Sequence, residues 1–296
     1  MRERVGIVGI GLMGQALTAN LLRAGFTLQG FDTDAGRMKE FKVQGGTPVS
    51  SAAEAARGVR WVLTSLPNST VVREVVLGPG GVAEGATKGL LLADTTTSRP
   101  EDSVSLAAEL TRRGIRFLDA AVSGTSTMAW KKDLIVITGG EPEDFDACRS
   151  LFDGFARAAY HMGPVGSGAL AKLIINLVLL CNRWGLAEGL VLGMKAGINM
   201  ESLLAALKDG AAGSKAMDQM GERMIKGNFT PAGRLTTALK DSRLMLEQGQ
   251  HYGVPMFLTT ICAQLVQSGV QTGYAEFDGA CYIEILREMA GLPRRK

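Results

Sequence analysis

The sequence predicts an α/β protein in two parts: an N-terminal domain built on an open, mostly parallel sheet, then an all-α C-terminal domain. Three observations predict it. A glycine-rich loop joins an apolar run to a helical pattern at the very start. Strand-like and helix-like segments then alternate to about residue 162. After that, strand signals fade and helical periodicity takes over.

Val5-Gly6-Ile7-Val8 is an apolar run fit for a buried strand, and Gln15 to Arg23 reads as a helix. Between them stand Gly9, Ile10, Gly11, Leu12, Met13 and Gly14, a G-x-G-x-x-G loop. A second short apolar run ends in Phe31-Asp32, eighteen residues after Gly14. Strand, glycine loop, helix, strand and acid in this order form the Rossmann dinucleotide-binding pattern. Gly9 permits a tight turn, Gly11 lets a pyrophosphate approach the backbone, and Gly14 lets the helix pack on the strand. The helix start offers free N–H groups and the positive end of its dipole to phosphates. Asp32 is placed to accept hydrogen bonds from the adenosine ribose.

Further strands are expected at residues 60–66, 90–94, 115–119 and 134–138, with helices over Ser51–Arg57 and Pro100–Arg113 among others. In such sheets ligands sit beyond the carboxyl ends of the strands. The loops carrying Leu66-Pro67-Asn68, Asp94 to Ser98 and Asp119 to Ser126 therefore face the cofactor. The texture changes at Gly163-Pro164-Val165-Gly166-Ser167-Gly168. The boundary is placed there, giving a dinucleotide-binding domain over residues 1–162 and a helical domain over 163–296. The second domain opens with a long helix from about Ala169 to Ala196. Gly185, Gly189, Gly193 and Gly197 recur along it at four-residue spacing. Glycine inside a helix costs about 1 kcal/mol relative to alanine, so the stripe suggests a closely crossing helix. Part of it alternatively lies near the helix end.

The 296 residues are 46% hydrophobic, ample for a sizeable core, and the net charge of +3 is too mild to argue for nucleic acid. The basic run Pro293-Arg294-Arg295-Lys296 reads as a solvated end. Cys148, Cys181, Cys262 and Cys281 lie far apart, without C-x-x-C, and fit buried thiols in a reducing cytoplasm. No metal-ligand spacing is present. No signal peptide is expected, because the sequence enters a strand almost at once, and the most apolar stretch, Leu173 to Cys181, is too short to span a bilayer. His161 reads as structural. His251 reads as part of a loop, without a partner for a Ser/His/Asp triad.

Lys172 and Asn176 stand four apart, so they share a helix face. A lysine partly desolvated beside a cofactor exchanges protons near neutral pH. On spacing alone the pair is more simply a surface lysine and a helix asparagine. Ser123, Gly124 and Thr125 follow a strand and offer hydroxyl and N–H groups to a carboxylate or phosphate; an ordinary polar turn explains them equally well. Lys240-Asp241 reads by default as a solvated charged face.

Taken together, these pieces resemble the β-hydroxyacid dehydrogenase family, which includes 3-hydroxyisobutyrate dehydrogenase, tartronate semialdehyde reductase and succinic semialdehyde reductases. The resemblance covers nearly the whole chain. It rests on Gly9 to Gly14 with Asn20-Leu21, Leu66-Pro67, Asp94 to Pro100, Asp119 to Gly124, Gly166 to Asn176, Glu188 and Lys240-Asp241. It implies that Lys172 is the catalytic acid/base. Ser123, Gly124 and Asn176, joined by Thr125, Lys240 and Asp241, would hold the substrate. Thr96 would lie by the nicotinamide, with Leu66 and Pro67 also binding cofactor, and Lys240 would close over cofactor and substrate. Ala121, Thr125 and Lys132-Asp133 depart from the family pattern around the substrate loop.

The resemblance implies an NAD(P)-dependent oxidoreductase interconverting a short β- or γ-hydroxy acid and its semialdehyde. A reductase of a larger or sulfonated aldehyde and a non-catalytic dinucleotide sensor are the alternatives. Asp32 would repel a 2′-phosphate, so NAD is expected over NADP, with Arg37 near enough to weaken the preference. The expected partner is a small carboxylic acid, with no nucleic acid and no membrane, in a cytoplasmic homodimer or homotetramer.

Overall fold

The computed structural model describes residues 3–231 and 233–293. Arg294 to Lys296, the basic end expected to be solvated, lie outside the described residues. The chain divides into two compact units, Met1–Lys172 and Leu173–Lys296.

The first unit holds an eight-stranded sheet: β1 (Arg4–Val8), β2 (Thr27–Phe31), β3 (Thr47–Pro48), β4 (Trp61–Thr64), β5 (Leu91–Asp94), β6 (Arg116–Ser123), β7 (Ile135–Gly139) and β8 (Ala158–His161). Their order in the sheet is β3-β2-β1-β4-β5-β6-β7-β8. β1 to β6 run parallel, β7 is antiparallel to β6, and β8 is parallel to β7. Between β3 and β8 the chain first builds leftwards from β1, then rightwards from β4. The order reverses between β1 and β4, and a crevice forms at such a switch point. Both faces are buried. On β4, Trp61 and Leu63 pack into one core cluster and Val62 into the other, as the two-residue side-chain period requires. Helices over Leu12–Arg23, Ala35–Gln44, Ser69–Leu77, Pro100–Arg112 and Arg149–Phe155 are among those that connect the strands.

Apart from an isolated bridge between Arg234 and Asp278, the secondary structure of the second unit's described residues is helical. Its core gathers Leu180, Trp184, Leu190, Met220, Val266 and Ile283, and the Trp184 and Tyr282 rings stack at 4.2 Å. The long helix runs Ser167–Lys195. By length and composition it could cross a bilayer, unlike the short apolar stretch inside it. Leu173, Leu180, Trp184, Leu186 and Leu190 instead bury themselves among the helices of the unit.

Several expectations change. The units divide at Lys172/Leu173, ten residues past the expected boundary. The reason is that the helix start is fastened to β6: Asp119 accepts from the N–H groups of Gly166 and Ala169. Among the described residues the glycine stripe meets another helix only at Gly193, which packs against the helix Met200–Asp209. A Cβ on Gly185 or Gly189 would meet nothing within 4 Å, Gly193 contacts Met200 and Leu203, and Gly197 lies past the helix end with φ +71°. His251 is not in a loop but ends the helix Leu235–His251. His161 is structural, with Nε2 2.8 Å from the Gly140 carbonyl oxygen.

Candidate active site

The loop after β1 has the shape its glycines require. Gly9 adopts φ +91°, a left-handed conformation that a side chain would strain. A Cβ on Gly14 would collide with the Gly9 carbonyl, so this glycine allows the helix to lie against the loop. Gly11 is different. It begins the Leu12–Arg23 helix with no side-chain cap, and a Cβ there would meet only Arg37 Nη1, at 3.9 Å. The helix start is therefore an open cradle of backbone donors, which fits a pyrophosphate. Ile10 is wholly buried and Leu12 is 66% exposed; Met13 packs against the core.

Asp32 closes this loop from the end of β2. Its Oδ2 accepts from the Ile10 N–H at 2.7 Å and lies 3.5 Å from Arg37 Nη1, and its Oδ1 accepts from the Asp34 N–H at 2.9 Å. The carboxylate is thus aimed and held. Each of its oxygens retains acceptor capacity for a ribose hydroxyl.

The loops after β4 and β5 are stitched together. Thr96 Oγ1 accepts from the Leu66 N–H at 3.1 Å. Thr96 in turn donates its backbone N–H to Asp94, which also accepts from the Thr64 hydroxyl at 2.8 Å and the Ser98 hydroxyl at 3.4 Å. Burial raises the Asp94 carboxyl above the ordinary range, against the pull of those hydroxyl and N–H donors. Asn68 accepts from the Val71 N–H and caps the Ser69–Leu77 helix, so Leu66-Pro67 is held from both sides. A cavity of ≈ 210 Å³ opens beside Asp94, lined by Ser69, Arg73, Ser98, Asp102 and Ser103.

β6 ends in Ser123. Gly124 takes φ +140°, and a Cβ there would run into Leu134. Thr125 Oγ1 accepts from the Met128 N–H at 3.3 Å and caps the short helix Ser126–Trp130. Its hydroxyl therefore already has a structural duty. Lys172, expected on spacing alone to be a surface residue, is only 7% exposed. It stands near the start of the long helix, in the same unit as the glycine loop.

The second unit gathers the remaining predicted residues. The Asn176 amide donates to Asp241 Oδ2 at 3.0 Å, and Lys240 Nζ lies 3.2 Å from Asp241 Oδ1. Asp241 is buried, so Lys240-Asp241 is not a solvated charged face. The acid fixes the asparagine's amide orientation, leaving the amide oxygen and the second N–H for a ligand. Among the described residues no cluster of three His, Cys, Asp or Glu side chains could hold a metal ion. The four cysteines are free, and burial pushes the Cys148, Cys262 and Cys281 thiols up to about 12.

Sequence reasoning named Asp94, Asp119 and Asp241 but missed what each of them holds in this scaffold. A signal existed for two of them. Asp94 is the last residue of its strand and precedes a run of hydroxyls; Asp119 precedes the Ser123-Gly124 turn on an otherwise apolar strand.

Two family models match. The NAD-binding domain of 6-phosphogluconate dehydrogenase matches residues 4–163, and the NAD-binding domain of NADP-dependent 3-hydroxyisobutyrate dehydrogenase matches residues 166–286. The chain is 30% identical to 2-(hydroxymethyl)glutarate dehydrogenase of Eubacterium barkeri, over 98% of this chain and 96% of that protein. It is 29% identical to glyoxylate/succinic semialdehyde reductase 1 of Arabidopsis thaliana, over 96% and 98%. Among solved structures, Mycobacterium tuberculosis 3-hydroxyisobutyrate dehydrogenase with L-serine superposes with TM-score 0.88 at 26% identity, over 97% of this chain and all of that one.

Proposed function

We propose a specific reaction for this chain, which belongs to the β-hydroxyacid dehydrogenase family and is an NAD(P)-dependent hydroxyacid dehydrogenase: it interconverts a short β- or γ-hydroxy acid and its semialdehyde, with Lys172 as acid/base. The observation that carries the reading is the burial of Lys172 three residues beyond Ala169, where Asp119 fastens the helix start to β6. A lysine is rarely buried without a role or a partner. The readings as a sulfonated-aldehyde reductase and as a non-catalytic sensor find no support among the relatives.

When bound, the nicotinamide cofactor supplies or accepts the hydride. This chain's residues do the rest. The N–H groups from Gly11 onward hold the pyrophosphate, Asp32 receives the ribose hydroxyls, and Leu66, Pro67 and Thr96 form the wall beyond. Lys172 Nζ takes the hydroxyl proton in oxidation and returns it in reduction. Ser123, Gly124 and Asn176 orient the carboxylate and steady charge developing on the reacting oxygen, supported by Thr125, Lys240 and Asp241.

We assign the cofactor as NAD rather than NADP. Support comes from Asp32, whose negative charge opposes a 2′-phosphate; Arg37 at 3.5 Å offsets part of that charge. We place the protein in the cytoplasm, on the strength of its four free thiols. We further propose a homodimer or homotetramer. The exposed Ile174, Val178 and Leu192 on the long helix, and Phe257, Leu258 and Ile261 on another, support it.

The test is NADH oxidation with succinic semialdehyde, methylmalonate semialdehyde, tartronate semialdehyde and glyoxylate, run with wild type and Lys172→Ala. Turnover lost in the variant with NADH binding kept is the expected result. Joint loss of turnover and NADH binding would assign Lys172 a structural role instead.

A further inference from the structure

We propose that Asp119 is a positioning residue of this reaction: its carboxylate, with Gly139 and Gly168, clasps the first turn of the Ser167–Lys195 helix and so fixes where Lys172 stands. The proposal rests on the reading of Lys172 as acid/base.

The clasp lies wholly within the first unit. Asp119 sits on β6, and its side chain reaches the helix start. Oδ1 accepts from the Gly166 N–H at 3.2 Å, and Oδ2 accepts from the Ala169 N–H at 2.7 Å. Ala169 is three residues before Lys172. A carboxylate here caps the helix from another strand and meets the positive end of its dipole. Two glycines make the approach possible. A Cβ on Gly168 would lie 2.6 Å from both the Asp119 carbonyl oxygen and the Gly139 nitrogen. A Cβ on Gly139 would lie 2.6 Å from the Pro164 carbonyl oxygen and would collide with Asp119 Oδ1. Backbone therefore touches backbone at this point, and the helix start has no slack. Gly163 at φ +128° and Gly166 at φ +95° turn the chain into it.

The clasp has a charge state. The carboxyl meets backbone of β7 and of the helix, and Asp94, its register partner on β5, adds a like charge. Burial, with Asp94, pushes the Asp119 carboxyl up to about 6, against the pull of the Ala169 and Gly166 N–H groups and its own backbone N–H. Above that pH the carboxylate holds both donors. Below it a proton occupies one oxygen, an acceptor is lost, and the first turn loosens.

The test uses the full chain as wild type, Asp119→Asn, Gly168→Ala, Lys172→Ala and Gly185→Ala. The last is a control, because a Cβ there meets nothing within 4 Å. NADH-driven reduction of succinic semialdehyde and glyoxylate is followed from pH 5 to 8, with NADH binding by fluorescence. Hydrogen exchange of the peptide covering 166–172 is measured alongside. Asp119→Asn is expected to lose about 10- to 100-fold in kcat, to keep its NADH affinity, and to lose the acid limb that wild type shows near pH 6. Gly168→Ala loses kcat similarly but keeps the limb, and Gly185→Ala behaves as wild type. Exchange in the first helical turn rises in wild type below pH 6, after correction for intrinsic rates, and is high and flat in Asp119→Asn. A folded Asp119→Asn with wild-type kcat, pH profile and protection overturns the proposal. If that variant does not fold, wild-type kcat in Gly168→Ala overturns it. Turnover surviving in Lys172→Ala sinks the acid/base reading rather than the clasp. In that case, or if neither aldehyde turns over, the exchange result decides the clasp alone.

Discussion

In the proposed function, Asp32 joins structure and recognition in one side chain. Its oxygens take the Ile10 and Asp34 N–H groups, so its position is set before any ligand arrives. Replacing it by Asn keeps the size and removes the charge that opposes a 2′-phosphate. Asp32→Asn is expected to raise kcat/KM with NADPH and lower it with NADH; an unchanged ratio would remove the basis for the NAD assignment. Asp241 works through Asn176. With Asp241→Ala the asparagine amide loses its anchor, kcat should fall about tenfold or more, and the loss of a charge-assisted hydrogen bond of about 1.5–3 kcal/mol should lower the thermal midpoint by a few degrees. An unchanged kcat would show that Asn176 needs no orienting. At this scale local spacing in the sequence marked the glycine loop and Asp32, whereas the lysine segment came only from the family resemblance, its spacing alone reading as a surface pair. The sequence did not disclose Asp119 holding Ala169, or Asp241 holding Asn176. Those bonds join residues 50 and 65 positions apart, and no local pattern encodes such a pairing.

Elements follow the same division between local and non-local causes. Strands β1, β2, β4, β5, β6 and β7 announce themselves as apolar runs because both faces of the sheet are covered. β3, two exposed residues at one edge, and β8, partly exposed at the other, have no such run. They exist because a neighbouring strand offers them a ladder. The helix ending at His251 was hidden by the Gly253 and Pro255 that follow it, which draw the eye to a loop. The glycine loop allows two of its residues to be separated by experiment. Gly14→Ala forces a Cβ onto the Gly9 carbonyl and should lower stability by about 1–3 kcal/mol. Gly11→Ala meets no protein atom closer than 3.9 Å; it should leave the thermal midpoint nearly unchanged yet weaken NADH binding. Equal destabilisation by both, measured by thermal unfolding, would contradict the open cradle at Gly11.

For the whole molecule, buried acid carries a cost in stability. The Asp119 carboxyl sits at about 6 in the fold and near 3.9 when unfolded. Its contribution is fully present below about pH 4 and is lost as pH rises through 6, because the unfolded chain releases that proton first. The stability difference between wild type and Asp119→Asn, from urea unfolding, should therefore fall by up to about 3 kcal/mol between pH 4 and 7. A constant difference would mean that the carboxyl is not held protonated at pH 4–6. Association is tested separately: Val178→Glu with Leu192→Glu should shift sedimentation toward the monomer, and an unaltered oligomer would move the contact elsewhere. The division at Lys172 has one more consequence, for how the protein is made. Every strand of the sheet, the glycine loop, Asp119 and its partners at the helix start, and Lys172 itself lie on the N-terminal side of that division. Domains fold as units, the earlier-synthesised first. On the ribosome, the sheet and its glycine loop leave the exit tunnel while Lys240 and Asp241 have yet to be translated.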